Sequence, residues 1–366
     1  MSEGVRKRTA GTTTRCSDHS QEQNSDVTVV HKRQQRRSLL LSLVLGLISF
    51  FWAFVKIVLG AVTLCYIACV ILMYCSPAVR ELIIYLHPLK NPFHNLSDPI
   101  SFGLPVNTVH FYIDGSAGKL GAWDIPSVHS PEIKDSSQAN EHSHLKDGRP
   151  VILYLHGNAH TRGEDRRVQL CKLFSSWGYH AITIDYRGFG DSDGTPSENG
   201  LTEDGVIAME WIRSQISNSS VYIWGHSLGT GVAGGVAKIL CDEGFPPSGV
   251  ILEAPFNNLR EGAASHILTV PFRFLPYFNE TVLDEVEDVF RTDKRLADVY
   301  CPILILHDRE DNTVPIELGK KLYSSAKSSR RPDADPIEFI EFVGYGHHDI
   351  YLSERLPGIL RDFIKT

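Results

Sequence analysis

No two cysteines of this chain have the spacing of a metal-binding pair. The seven are scattered without a CxxC or a Cys/His ligand cluster, and Cys65, Cys69 and Cys75 lie in or beside one apolar run, which excludes a disulfide scaffold and a zinc ribbon. Basic surplus is missing outside the N-terminus: Met1 to Arg37 carries net +4 in a chain of net −7, so the remainder carries −11 and offers no nucleic-acid-binding face. Charge of either sign nearly vanishes between Ser38 and Cys75. There Lys56 alone divides two uncharged runs of 18 residues, Ser38 to Val55 and Ile57 to Tyr74, each about 27 Å long as a helix and just able to span a bilayer. No Pro, Asn or Asp lies near Lys56 to turn a hairpin, and no small-x-small cleavage site follows as a signal peptide requires.

These absences divide the chain into a polar, basic tail (1–37) expected to be disordered, a hydrophobic anchor (38–75) with a single span centred on residues 57 to 75, and one large domain (76–366). Lys56 then sits at an interface, where its ammonium reaches water. The positive-inside rule puts the tail in the cytoplasm and everything after residue 76 on the other side. Three glycosylation sequons, at Asn95, Asn218 and Asn279, follow the span and agree with that orientation.

Beyond the anchor, Pro88, Pro92, Pro99 and Pro105 preclude a long helix before residue 106. Val106 to Ile113 and Lys119 to Ile125 form a strand pair, and the polar stretch Ser127 to Arg149 reads as a surface insertion. From Val151 onward, strand and helix patterns alternate. The strands are Val151 to His156, His180 to Asp185, Val221 to Trp224, Gly249 to Glu253, Pro302 to His307 and Ile337 to Phe342, and an amphipathic helix (Tyr351 to Ile364) closes the chain. That order requires crossovers and predicts an α/β protein with a mostly parallel sheet of about eight strands and helices on both faces. Residues 257 to 298 or so break the alternation and include the apolar Val270 to Phe278, a helical lid over a pocket for an acyl chain.

The densest motif is Val221 to Ala233, VYIWGHSLGTGVA. β-Branched and aromatic residues run into Gly-His-Ser-Leu-Gly, and small residues then open a helix, so Ser227 is held on a strand–turn–helix elbow whose glycines leave room for close packing. A serine hydroxyl needs a base, and the base a carboxylate. Both are available at later strand ends: Asp308, Glu310 and Asp311 in His307 to Pro315, then His347 and His348 in Val343 to His348. The backbone N–H of Leu228, at the start of a helix, is one donor for an oxyanion.

Together HGNAHTRGEDRR, DYRGFGDSDGTPSE, VYIWGHSLGTGVA, LEAPFNNLR, PILILHDREDNTVP and GYGHH resemble the α/β-hydrolase-domain serine lipases of the lysophosphatidylserine and monoacylglycerol lipase type, over nearly the whole chain from the apolar run onward. The resemblance implies an α/β-hydrolase fold with a lid, preceded by one transmembrane helix. It implies catalysis by Ser227, Asp311 and His347, with Asp308 and Glu310 left to the loop and His348 pointing away. The second oxyanion donor is then the N–H of Asn158, and His156 and His226 are structural. Family architecture implies a glycoprotein of the endoplasmic reticulum membrane with its catalytic domain in the lumen, cleaving single-chain lipid esters without metal or organic cofactor. Two other readings stay open, an acyl-protein thioesterase on the same scaffold and a non-catalytic hydrolase-fold scaffold protein. Arg162, Arg166 and Arg167, after the HGN loop, are expected to be solvated or paired with Glu164 and Asp165.

Overall fold

The computed structural model describes residues 16–130, 141–286 and 288–364. The chain divides into two units, Met1–Ile71 and Leu72–Thr366.

The first unit is helical from Cys16, in a helix α1 that runs to Cys75. Thr28–Cys75 is, among the described residues, the one helix long and apolar enough to cross a membrane. It shows no break at Lys56, since nothing there interrupts the backbone ladder. Leu47, Phe50, Ile57 and Leu64 are each about two-thirds exposed or more, a surface that water alone would not tolerate. The tail differs from the sequence expectation: residues 16–37 are helical rather than disordered. They abut a formed helix, and Gln, Glu, Lys and Arg extend helices readily once the costly first turn exists. Residues 1–15 lie outside the described residues.

The second unit carries an eight-stranded sheet in the order β1-β2-β4-β3-β5-β6-β7-β8. β1 (Val109–Gly115) and β2 (Gly118–Ile125) form the antiparallel hairpin, and β2 runs antiparallel to β4 (His180–Ile184). From β4 the sheet is parallel through β3 (Val151–Leu155), β5 (Val221–His226), β6 (Gly249–Glu253), β7 (Ile303–Asp308) and β8 (Ile337–Phe342). β3 through β7 are buried along their whole length, as expected of parallel strands covered on both faces.

Two apolar layers sandwich the sheet. One, with Leu155, Ile223, Val232 and Leu252, packs under α4 (Glu198–Gln215) and α5 (Leu228–Asp242); the other, with Trp224, Phe174 and Leu306, lies under α3 (Asp165–Ser176) and α9 (Leu356–Phe363). The closing helix is shorter than the sequence suggested. Residues 350–352 form a separate turn, and Pro357 sets the first turn of α9. The short helix α2 (Pro77–Tyr85) precedes the hairpin.

The stretch expected to be a surface insertion is anchored where it is described, residues 131–140 lying outside. Leu145 is fully buried, and His142 and His144 both hydrogen-bond Asp124 of β2, at 2.6 and 2.9 Å. A buried carboxylate requires such partners. The region expected to form a lid comprises α6 (Leu259–Ser265), capped by the Asn258 side chain, a series of short turns, and α7 (Thr292–Arg295). α8 (Ile316–Ser329) joins β7 to β8.

Candidate active site

Ser227 caps α5 with φ +54° and ψ −119°, outside the conformations non-glycine residues prefer. The bend is enforced by packing. A Cβ on Gly225 would lie 2.3 Å from the carbonyl oxygen of Gly229, and one on Gly229 would lie 2.1 Å from that of Leu155, so neither position admits a side chain. The Ser227 N–H donates to the carbonyl of Glu253 (3.0 Å), tying the bend to the end of β6.

His347 lies on the loop after β8, Asp311 on the loop after β7, and both converge on Ser227. His347 Nε2 is 3.0 Å from Ser227 Oγ, and Nδ1 is 2.7 Å from Asp311 Oδ2. Asp311 is 6 % exposed and accepts from the N–H groups of Thr313 and Val314 at 2.8 Å each. Burial alone would raise its pKa. Hydrogen bonds from His307 and His347, the His347 charge and the Val314 N–H outweigh it and hold the carboxyl well below the usual range. An ionised Asp311 accepts a hydrogen bond from the Nδ1–H of His347, holding the proton on that nitrogen and leaving Nε2 free to accept from the serine.

Neighbouring groups have other work. Asp308 accepts from the N–H of Glu310 (2.7 Å) and of Tyr345 (3.0 Å), bracing the two loops against each other. His226 Nε2 donates to the carbonyl of His347 (2.9 Å). Burial, then the charges of His347 and His348, push its pKa well down, so it stays neutral. His156 Nδ1 meets the carbonyl of Gly157 at 2.7 Å inside the loop it shapes. His348 departs from expectation: it lines the same cavity as Ser227, with its ring centroid 4.6 Å from that of His347.

The three imidazoles of His226, His347 and His348 are also, among the described residues, the one group whose ligand atoms lie close enough for a metal ion, within 4.8 Å. Asp311 and Ser227 already engage both ring nitrogens of His347, so a metal there would have to displace the serine.

Leu228 is the first residue of α5, and its N–H is one that a helix leaves unbonded within itself. Asn158 and Ala159 line the cavity beside Ser227, so both expected oxyanion segments meet there. The cavity holds about 370 Å³. Ile83 and Ile84 of α2, Phe256, Leu259 and Ala263 of α6, and Val314 give it an apolar wall. Arg166, Arg167, His160 and Tyr351 give it a polar one.

Sequence reasoning missed Glu253. Fully buried at the end of β6, it accepts from Trp224 Nε1 (2.8 Å) and borders the cavity. Burial lifts its pKa to about 8, opposed by the Trp224 bond and reinforced by the Asp311 charge. A carboxylate at the carboxyl end of the strand beside the serine's was the signal available.

Comparison with known proteins agrees with this architecture. Residues 150–238 match a family model described as alpha/beta hydrolase fold. The lysophosphatidylserine lipase ABHD12 of Danio rerio is 42 % identical over 310 residues, covering 82 % of this chain and 81 % of that one. The Rattus norvegicus protein of the same name is 41 % identical over 329 residues (87 % and 82 %), and protein ABHD12B of Homo sapiens is 37 % identical over 291 residues (78 % and 80 %). Among solved structures, an alpha-beta hydrolase from Vibrio vulnificus superposes with a TM-score of 0.60 at 21 % identity, over 78 % of this chain and 92 % of that one. The Pyrococcus furiosus esterase Pf2001 does so with 0.53 at 17 % (72 % and 92 %). These structural likenesses speak for the fold.

Proposed function

The chain belongs to the family of the lysophosphatidylserine lipase ABHD12 and protein ABHD12B, and from that membership we propose that it is a membrane-anchored serine hydrolase that cleaves the acyl ester of single-chain lipids, lysophosphatidylserine and monoacylglycerol, through an acyl-enzyme. The observation that carries the reading is the unbroken hydrogen-bonded series from Ser227 Oγ through His347 to Asp311, at 3.0 and 2.7 Å, at the wall of a largely apolar cavity.

Ser227 Oγ attacks the ester carbonyl while His347 Nε2 takes its proton, and Asp311 stabilises the imidazolium. The N–H groups of Leu228 and Asn158 receive the oxyanion. His347 returns the proton to the departing glycerol oxygen, and water, deprotonated by the same imidazole, releases the fatty acid and restores the serine. Every proton transfer is met by these side chains, so the reaction calls for no metal or organic cofactor.

α1 anchors the enzyme with its tail in the cytoplasm, and the hydrolase domain lies in the lumen of the endoplasmic reticulum. Asn95, Asn218 and Asn279, all exposed, are its glycosylation sites. The parts are the tail (1–37), the anchor (38–75) and the hydrolase domain (76–366), whose lid at about 257–298 covers the acyl chain.

The test is fatty-acid release from lysophosphatidylserine, monoacylglycerol and an acyl thioester by membranes carrying wild type or Ser227→Ala. Ester hydrolysis that vanishes with the serine is the expected result. Release from the thioester alone would instead mean an acyl-protein thioesterase, and release from none a scaffold. A mobility shift on endoglycosidase treatment, lost when the three asparagines become Gln, checks the lumenal placement.

A further inference from the structure

Three arginines come from one short stretch; Arg166 and Arg167 line the cavity and Arg162 does not, and their surroundings differ. Arg162 is neutralised by two carboxylates: its terminal nitrogens bond Asp185 (2.5 Å) and Asp191 (2.6 and 3.0 Å), and one of them also meets His110 (3.2 Å). Arg166 stands half-exposed with Nε 3.3 Å from Asp349. Arg167 resembles neither. It is only 8 % exposed and lines the cavity beside Ser227, and among the described residues no carboxylate lies within 4.0 Å of its guanidinium. Its bonds go to two carbonyl oxygens, Thr161 (2.8 Å) and Ala159 (2.5 Å). Glu164, expected as its partner, caps the helix instead and accepts the backbone N–H of Arg167 at 3.3 Å.

A cation removed from water without a counter-anion is costly, and two carbonyl dipoles do not neutralise it. No nearby acid is paired with it: Glu164, which also lines the cavity, keeps its carboxylate more than 4.0 Å from the guanidinium, and Asp185, whose pKa the Arg167 charge helps lower from further off, is bonded to Arg162. Burial keeps Glu253 largely protonated near neutral pH, and the negative charge of Asp311 is held by His347 and two N–H groups. The basic groups facing the space, His160, His226, His266, His347, His348 and Arg166, add no negative charge. After burial itself, the Arg167 charge is one of the influences that lower the pKa of His156 and His226, so its field reaches across the site.

We propose that Arg167, with Arg166 at its rim, is the subsite that receives the phosphodiester of a lysophospholipid head group, so that these two side chains set the preference for such a lipid over a monoacylglycerol. The fork of a guanidinium suits a phosphate's paired oxygens. Arg167 also grips both sides of the segment that follows Asn158, so a phosphate bound there sits next to the oxyanion loop, as the shared glycerol of ester and phosphate demands.

The inference rests on the ester-hydrolase reading of Ser227. The experiment compares kcat/KM of the full chain in nanodiscs on lysophosphatidylserine and on monoacylglycerol of the same acyl chain, for wild type, Arg167→Gln, Arg167→Lys, Arg166→Gln and Ser227→Ala. Arg167→Gln slows both, because the loop loses its tie, but the lysophospholipid falls roughly thirtyfold further. Arg167→Lys recovers part of that ratio, and Arg166→Gln lowers it roughly threefold. An equal fall on both substrates would reduce Arg167 to a positioning residue and overturn the subsite. Should Arg167→Gln fail to fold, the other two arginine variants still read the ratio, together with inhibition of monoacylglycerol hydrolysis in the wild type. Dodecyl phosphate should compete there at least tenfold better than dodecanol, and equal inhibition would count against the proposal. Activity that survives in Ser227→Ala would sink the ester-hydrolase reading by itself, whatever the ratios.

Discussion

At one end of the sheet His347 closes on Asp311 at 2.7 Å, and at the other His142 and His144 close on Asp124 at 2.6 and 2.9 Å, with His180 on Asp147 at 3.0 Å nearby. Both are histidine–carboxylate constellations with a buried acid, and Asp124 is the more deeply buried. They differ in where the strands point. Ser227 and Asp311 follow the carboxyl ends of the parallel strands β5 and β7, where a sharp bend, a helix start and several loops leave a cavity. His180 opens β4, and Asp124 pairs with Ile182 of that strand, so the second cluster lies at the amino ends, sealed by Leu145. A buried His–Asp pair thus fastens a loop at one end of the sheet and, on our proposal, drives chemistry at the other; the nucleophile and the space beside it make the difference.

The largest effect that tests this contrast is on turnover. Asp311→Asn keeps an acceptor for the Thr313 and Val314 N–H groups but no longer fixes the His347 tautomer, so kcat should fall about 10⁴-fold in protein shown to be folded by thermal melting. The reverse is expected at the other end. Asp124→Ala leaves two imidazoles, His142 and His144, around an empty buried position and should cost about 3–5 kcal/mol of stability in a denaturant titration. Ester hydrolysis per folded molecule should stay within about threefold of wild type. If Asp124→Ala instead abolished turnover in folded protein, the two ends would not be separable.

A finer contrast lies within the active end. Two carboxyls flank Ser227, with pKa values displaced in opposite directions. Asp311 is depressed, so its contribution to stability is present above the ordinary carboxylate range and is lost as pH falls. Glu253 is raised to about 8, so the folded state holds a proton that the unfolded chain gives up, and stability is lost as pH rises toward and through 8. Between pH 6 and pH 8 that loss amounts to about 2 kcal/mol. Glu253→Gln, which still accepts from Trp224 Nε1, should remove this slope while leaving the acid limb in place. A slope that persists in the variant would assign it to another group.

Much of the active end was legible because its geometry is local. Gly225 and Gly229 stand where backbone approaches backbone within a few residues of Ser227, and the strand–loop order puts an acid and a histidine at later strand ends. The amino-end cluster was not legible, since His142 and His144 meet Asp124 only through a loop folded back over a strand some twenty residues earlier, and polar composition alone reads as surface. Arg167 was hidden for a related reason. Its two neighbouring acids by sequence, Glu164 and Asp165, suggested pairing, but helix geometry turns Glu164 to the cap and sends the guanidinium inward. The helical course of residues 16–37 escaped because composition ranks a segment in isolation, whereas α1 supplies it with a preformed turn.

The smallest expected effect separates two adjacent imidazoles. His347 and His348 both line the cavity, their ring centroids 4.6 Å apart, yet only His347 has a carboxylate within 4.0 Å among the described residues. An imidazole without that partner gains nothing on accepting a proton. His348 is moreover held below its usual pKa, by partial burial first and then by the charges of His347 and Arg166. His348→Gln should therefore change kcat less than about threefold, against about 10⁴-fold for His347→Gln. Both would be measured on a short-chain ester, to keep head-group binding out of the comparison, and in protein shown to be folded by thermal melting. A fall in His348→Gln equal to that in His347→Gln would move the base by one residue. The carboxylate contact, and with it the contrast between the two ends of the sheet, would then no longer decide which histidine works.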